Sequence, residues 1–395
     1  MIYTLTAPSS INSVIHLPAS KSISNRVLIL NALSSNPYPV DNLSDSDDTK
    51  ALLKAMESKA GFINAGAGGT TMRFLTAYLA QLPGEYTITG TERMKNRPVN
   101  ILVEALRQAG AEIEYIEKEG FPPLKIKGKS LNGGEVYLNG GVSSQYISAL
   151  MMIAPRMKRG LRLHIEGNAI SRPYIQMTKR LMENFGIEIQ WEGSSILVEY
   201  QSYKPIPFRV ESDWSAASYW YEIMALSDNK ASVELAGLES DSLQGDSIVA
   251  QLFEELKTIK GIFSHDFTHT PDLAQTMVVS CCMLNIPFHF TGLQSLKIKE
   301  TDRILALKQE MKKLGYILKD ESDSIIKWTG EKCQEENNPV ISTYEDHRMA
   351  MAFAPVCLKT KAVRIQNPEV VSKSYPNFWN DLKKAGFAVN EELDS

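Results

Sequence analysis

Six short clusters in this chain place small or acidic residues directly ahead of apolar, helix-patterned runs. They are Ser20-Lys21-Ser22, Gly68-Gly69-Thr70-Thr71, Val142-Ser143-Ser144-Gln145, Ser212-Asp213-Trp214-Ser215, Pro271-Asp272-Leu273 and Glu345-Asp346-His347-Arg348. Ser, Thr and Asp are favoured N-caps, so each cluster predicts a helix start. A helix start offers unpaired backbone N–H groups and a partial positive charge, and therefore suits an anion. Lys21, Arg26, Arg73 and Arg348 stand in or beside these clusters, and Arg97, Arg303 and Lys373 lie near others. The combined chemistry is that of a pocket for a substrate carrying phosphate or carboxylate groups. Taken singly, the same residues have plainer duties. Ser22, Ser144, Asp272 and Asp346 suffice as caps, and Lys299 and Arg303, four apart, read as one solvated face at a helix start. His347 has no second histidine at a metal-ligand offset, which argues against a metal site. Recurrence at many helix starts is what turns the set toward anion binding.

The elements that must position these residues also repeat. An amphipathic helix closed by glycine and followed by a short apolar strand recurs at Gly61, Gly110, Gly186, Gly261, Gly315 and Gly386. Glycine suits the left-handed residue just past a last helical turn. Ile101 to Gly110 and Ile304 to Gly315 are the clearest copies, with apolar residues three and four apart on one face. Six copies of each unit predict six βα modules, grouped as two domains of three, with a boundary near Phe208 to Ser212. The glycines are unevenly spaced, which excludes an open solenoid. Lys332 to Asn338 reads as a solvated loop.

Composition narrows the class. With 42 basic and 46 acidic residues the formal net charge is −4, which excludes the strongly basic surface of a dedicated nucleic-acid binder. Cys281, Cys282, Cys333 and Cys357 show no zinc-ligand spacing, and four thiols in 395 residues suit a reducing compartment. The opening residues lack the basic and apolar regions of a signal peptide, and the longest apolar run, Met349 to Leu358, is too short to span a membrane. A cytoplasmic protein with no nucleic-acid or membrane partner is expected on these grounds, and it is expected to be a monomer. There is no Gly-x-x-x-x-Gly-Lys-Ser/Thr, no Gly-x-Gly-x-x-Gly after a strand and no Gly-x-Ser-x-Gly, so nucleotide and serine-hydrolase chemistry find no support.

Five segments together resemble the EPSP synthase (3-phosphoshikimate 1-carboxyvinyltransferase) family. They are Leu17 to Arg26, Arg93-Met94-Lys95-Asn96-Arg97-Pro98, Ser143-Ser144-Gln145-Tyr146, Lys299-Glu300-Thr301-Asp302-Arg303 and Tyr344 to Ala350, in that order along nearly the whole chain. The resemblance implies an α/β fold of two similar domains, each of three βαβαββ modules, an inside-out α/β barrel of the enolpyruvyl transferase type with its active site in the interdomain cleft. The domains would be 19–211, and 1–18 with 212–395. It further implies transfer of the enolpyruvyl group of phosphoenolpyruvate to the 5-hydroxyl of shikimate 3-phosphate, in aromatic amino-acid biosynthesis, with no cofactor or metal and with glyphosate as the family's inhibitor.

By the same resemblance Asp272 is the base for the 5-hydroxyl, Glu300 the acid–base group beside C3, and Lys21 bridges both substrates. Shikimate 3-phosphate would be held by Lys21, Ser22, Arg26, Ser143, Ser144, Gln145, Ser171, Tyr174, Asp272, Ser295 and Lys299. Phosphoenolpyruvate would be clamped by Lys21, Gly69, Arg97, Gln145, Arg303, His347, Arg348 and Lys373. Planar guanidinium forks match such oxyanions bidentately. Arg73, Asp213 and Asp346 would support domain closure. The chain departs from the family's Asn-Ala-Gly-Thr loop: anchored on Met72-Arg73, Ala67 replaces the asparagine while Gly69 is kept. Ser295 stands where many members have asparagine. The sister UDP-N-acetylglucosamine enolpyruvyl transferases typically carry a reactive cysteine before the matching arginine, and Thr91 to Asn96 contains none. A catalytically inactive anion binder would gain nothing from Asp272 and Glu300, which repel its ligand.

Overall fold

The computed structural model describes residues 1–35, 37–58, 61–139, 143–167 and 171–392. The chain divides into two compact units, residues 19–211 and residues 1–18 with 212–395. Each holds two four-stranded sheets and one two-stranded ladder among the described residues.

One full module shows the pattern. Strand Phe62–Asn64 runs through helix Gly69–Gln81 to the parallel strand Gly84–Thr89, then through helix Asn100–Gln108 to Glu112–Tyr115, which turns back antiparallel as Leu124–Gly128. The last strand inserts beside the second, so the spatial order is first, second, fourth, third. The sheet begun by Gly134–Asn139 and the one begun by Phe263–Asp266 repeat this βαβαββ order. In the module begun by Val340–Ile341 the fourth strand is the N-terminal segment Ile2–Thr6, paired with both Val363–Gln366 and Ala388–Glu392. The third module of each unit is shorter than the expected βαβαββ form. It keeps a parallel two-stranded ladder, Val40–Asp41 with Phe208–Arg209 in one unit and Ile11–His16 with Ala231–Ala236 in the other. These are the modules through which the chain passes from one unit to the other, so their strands come from distant segments rather than from one hairpin.

The helices sort by sequence into two kinds. Three in each unit are apolar nearly all round and pack on one another: Lys21–Leu33, Gly69–Gln81 and Ser144–Ile153, and Trp214–Leu226, Ala274–Met283 and His347–Phe353. A helix apolar on every side must be enclosed. The Met349 to Leu358 run is accordingly core, forming most of His347–Phe353 and the 3-10 turn Ala354–Leu358. Among the described residues no helix is long and apolar enough to cross a membrane. Outer helices such as Asn100–Gln108 and Arg172–Asn184 bury one face only. Five of the six punctuating glycines have positive φ, from +81° at Gly186 to +109° at Gly261, whereas Gly61 does not. Lys332 to Asn338 is an exposed loop at most positions, but the Lys332 ammonium lies 3.4 Å from the Tyr316 ring centroid. All four cysteines are free thiols.

Candidate active site

The six inner helices begin at the six clusters, so each unit gathers three cluster-bearing helix starts. Val142 lies outside the described residues; the other cluster residues are described.

In the 19–211 unit, Ser20 caps its helix by accepting from the Ile23 N–H, which leaves Lys21 at the first helical position. The Lys21 Nζ lies 3.2 Å from Asp48 Oδ2. Arg26 is 2% exposed and is held by neutral groups. Its Nε donates to Thr178 Oγ1 (2.7 Å), Nη1 to the Ser22 carbonyl (2.8 Å), and Nη2 to Ser148 Oγ (3.2 Å) and the Tyr174 carbonyl (3.4 Å). The Phe74 and Tyr174 rings flank it at 5.3 and 5.9 Å. Burial pushes its guanidinium down to about 10, with Tyr174 acting the other way, so it stays charged at neutral pH.

Gly69 opens the second inner helix, and its missing side chain is structural. A Cβ there would stand 2.5 Å from an Arg73 Nη atom and 2.8 Å from an Arg97 Nη atom, so glycine lets two guanidinium groups close on one helix start. Gln145 ties this start to the third: its Oε1 accepts from Arg73 and its Nε2 donates to Thr70 Oγ1 at 3.0 Å. Arg73 also lies over the Tyr146 ring at 5.0 Å. Ser143 caps its own helix through the Gln145 N–H, and Ser144 is buried at the first position. Ser171 is buried at φ +58°, a left-handed conformation that costs a non-glycine residue about 1 kcal/mol or more. Its hydroxyl does not cap the helix it precedes.

In the 1–18 and 212–395 unit the cations face acids. Arg303, 1% exposed, bonds three carboxylates: Asp346 through Nε (2.6 Å) and Nη2, Asp272 through Nη1 (3.0 Å) and Glu300 through Nη2 (2.9 Å). Arg348 reaches Asp272 Oδ2 at 2.9 Å and donates to the Tyr219 hydroxyl at 3.3 Å. Lys299 Nζ lies 3.8 Å from Asp272 Oδ1. Burial alone would raise the Asp272 carboxyl, but Arg348, Lys299 and Arg303 together hold it well below the usual carboxylate range. Burial lowers Lys299, with Asp272 working against the shift. Burial would also lower Arg303, yet Asp346, Glu300 and Asp272 carry it above its ordinary value. Lys373 donates to the Glu345 carbonyl at 2.7 Å. The His347 ring is 2% exposed, 3.9 Å from Asp346. The Ser295 hydroxyl is buried without a hydrogen-bond partner among the described residues.

Three expectations are corrected here. Ser22 and Ser144 are not caps: Ser20 and Ser143 cap those helices, and Ser22 and Ser144 lie at the second and first helical positions. Asp272 is not an N-cap: it is the middle residue of the 3-10 turn Pro271–Leu273, and its carboxylate bonds arginines instead. Nor do Lys299 and Arg303 share a solvated helix face. The helix starts at Arg303, capped by Asp302, Lys299 lies in extended backbone before it, and the guanidinium is buried by its three acids. Asp213 and Asp346 do cap their helices, through Ala216 N–H and Arg348 N–H, both at 2.9 Å. The bonds described for Arg73, Asp213 and Asp346 are internal to their own units. Sequence reasoning missed Asp48 and Tyr219. Asp48 reads as first-turn acid behind the Ser46 cap, and Tyr219 as apolar core; no local spacing announces that either holds a cation of the site.

Two α/β halves of matching topology, each collecting cations at its inner helix starts and one adding ionised carboxylates, define an α/β enzyme class that handles small polyanions. Comparison with known proteins narrows this. The profile of EPSP synthase (3-phosphoshikimate 1-carboxyvinyltransferase) matches residues 5–58 and 54–382, and the chain belongs to that family of transferases. The 3-phosphoshikimate 1-carboxyvinyltransferase of Bacteroides fragilis strain YCH46 is 57% identical over 98% of this chain and 99% of its own length. That of Vibrio campbellii is 34% identical over 96% and 98%. The solved EPSP synthase of Acinetobacter baumannii superposes with a TM-score of 0.81 at 20% identity, covering 99% of this chain and 100% of that one, which establishes the shared fold.

Proposed function

We propose that this chain transfers the enolpyruvyl group of phosphoenolpyruvate to the 5-hydroxyl of shikimate 3-phosphate, releasing phosphate. Family membership supports the reaction, and the observation that carries the residue assignments is Arg303 held between Asp272, Glu300 and Asp346, with Arg348 and Lys299 on Asp272. The reaction needs a base for the hydroxyl, an acid–base group at C3 and cations for two polyanions. Asp272 takes the hydroxyl proton as that oxygen bonds to C2, and Glu300 delivers a proton to C3. The tetrahedral adduct then loses a methyl proton and expels phosphate. Without substrate, the acids occupy the cations. Arrival of phosphoenolpyruvate sets its own charges against Asp272 for Arg303 and Arg348, and an Asp272 relieved of cations is a better base.

The 19–211 unit supplies the anion sites: Lys21, Ser22, Arg26, Ser143, Ser144, Gln145, Ser171 and Tyr174 for shikimate 3-phosphate, and Gly69 and Arg97 for phosphoenolpyruvate. Ser295 and Lys299 join the first set; Arg303, His347, Arg348 and Lys373 join the second. A cytoplasmic location and a monomeric state belong to the same reading, and light scattering checks the second. The deciding assay is phosphate release from phosphoenolpyruvate with and without shikimate 3-phosphate. Release only with both is expected; release with UDP-N-acetylglucosamine instead identifies the sister activity, and silence with both overturns the enzyme.

A further inference from the structure

One buried acid of the 1–18 and 212–395 unit has no task in this reaction. Asp246 lies in the 3-10 turn Gly245–Ile248 and is 3% exposed. Its Oδ2 accepts a hydrogen bond from the Ser215 hydroxyl, while Oδ1 has no hydrogen-bond partner among the described residues. A carboxyl oxygen so placed is costly, and a fold that keeps one invites a functional account. The turn is pinned to the start of helix Trp214–Leu226. Gln244 accepts from the Trp214 N–H (3.1 Å) and donates to the Ser212 carbonyl (2.8 Å). The turn that carries Asp272 packs against the same helix. One turn further along, Tyr219 holds Arg348, and Arg348 holds Asp272. The turns that carry Asp246 and Asp272 thus both pack against helix Trp214–Leu226, and the charge of Asp272 acts on Asp246. Arg348, from helix His347–Phe353, and Asp213, the helix cap, are the other charges that face Asp246.

We propose that Asp246 is a positioning residue for the transfer: once ionised, it sets a second negative charge beside Asp272 and makes that carboxylate a stronger acceptor of the substrate hydroxyl's proton. The inference rests on Asp272 being the base. In that step the hydroxyl O–H bond breaks as its oxygen bonds to C2, the proton lodges on Asp272, and the loss of charge there removes the repulsion from Asp246. Burial first, and then the charge of Asp272, push the Asp246 carboxyl up to about 7, with Ser215 and Arg348 acting against them and Asp213 adding to the rise. Ionisation of Asp246 therefore falls near neutral pH.

The test is the pH profile of kcat, from pH 5.5 to 9, for the wild type, Asp246→Asn and Ser215→Ala. The wild type is expected to show a step in kcat near pH 7. Asp246→Asn loses the step, and its kcat at pH 8 falls roughly ten-fold, the factor for one pKa unit of coupling, with KM for both substrates within about two-fold. Ser215→Ala keeps the step but moves it to higher pH, because the lost hydroxyl had favoured the charged carboxylate. A merely structural Asp246 would lower Tm and leave the step where it was. That result in either soluble variant overturns the proposal, and Ser215→Ala decides alone if Asp246→Asn does not fold. Absence of wild-type turnover with shikimate 3-phosphate and phosphoenolpyruvate is a different failure, that of the functional reading itself.

Discussion

The two units share a topology but not an interior. Among the described residues, the buried Arg, Lys, Asp and Glu side chains of the 19–211 unit are Arg26, Arg73, Arg97 and Glu211. The other unit buries Arg303 and Arg348 with Asp213, Glu222, Asp246, Glu310, Asp346 and Asp381. Arg26 is held by hydroxyls, carbonyls and rings, and Arg73 by the Gln145 amide and the Tyr146 ring, neutral groups that leave their charge uncancelled. Arg303 is surrounded by three carboxylates. The same βαβαββ scaffold thus makes a standing positive site in one half and a balanced acid–base cluster in the other. A standing positive charge suits an anion that is only held; a balanced cluster suits one that reacts, because each proton moved changes the balance.

The largest effect expected from this contrast is on turnover. Asp272→Asn should lower kcat by about 10²–10⁴-fold, the usual worth of a general base, in a protein that still folds. It should also tighten inorganic phosphate binding, since Arg303, Arg348 and Lys299 lose a competing anion; steady-state kinetics and calorimetry check the two parts. Glu300→Gln should cost about 10²-fold or more in kcat, and wild-type rates would remove Glu300 from the chemistry. Stability should separate the halves next. Arg303→Met leaves Asp346 buried without its cation and should cost about 3–5 kcal/mol, whereas Arg26→Met strands only neutral partners, at about 1–3 kcal/mol. Denaturant titrations giving the reverse order would break the comparison. Gly69→Ala forces the Arg73 and Arg97 guanidinium groups back from the helix start, and KM for phosphoenolpyruvate should rise roughly ten-fold, about 1.4 kcal/mol, with a smaller change in kcat.

The smallest effect belongs to Glu222, fully buried on helix Trp214–Leu226, where burial lifts its carboxyl well above its ordinary value against a modest pull from Ser280. The folded state keeps this proton after the unfolded state has released it, so stability declines as pH rises above the ordinary glutamate value of 4.5. Glu222→Gln should flatten that decline and raise Tm at pH 8 by roughly 2–4 °C, the shift about 1 kcal/mol produces. Scanning calorimetry at pH 5 and pH 8 checks it: an equal Tm change at both would mean that Glu222 is ionised in the folded protein.

Much of this molecule was legible along the chain. The six clusters open the six inner helices, four of the six glycines (Gly110, Gly186, Gly315 and Gly386) directly follow a helix C-cap with positive φ, and the motif order pointed to the family that the whole-length matches establish. These features are local, since capping, glycine's φ freedom and apolar periodicity act within a few residues. What stayed hidden is non-local. Lys21 finds Asp48 27 positions away, and Arg348 finds Tyr219 129 positions away. The swap of Asp272 from cap to arginine partner, the burial of Arg303 and the short module at each crossing have the same origin. By itself the sequence determined where helices start and stop, which residues carry charge and which family they spell. Only the tertiary structure decided which charges neutralise one another, because that depends on distances across packed helices and on how much water the packing excludes, and neither quantity exists in a one-dimensional chain.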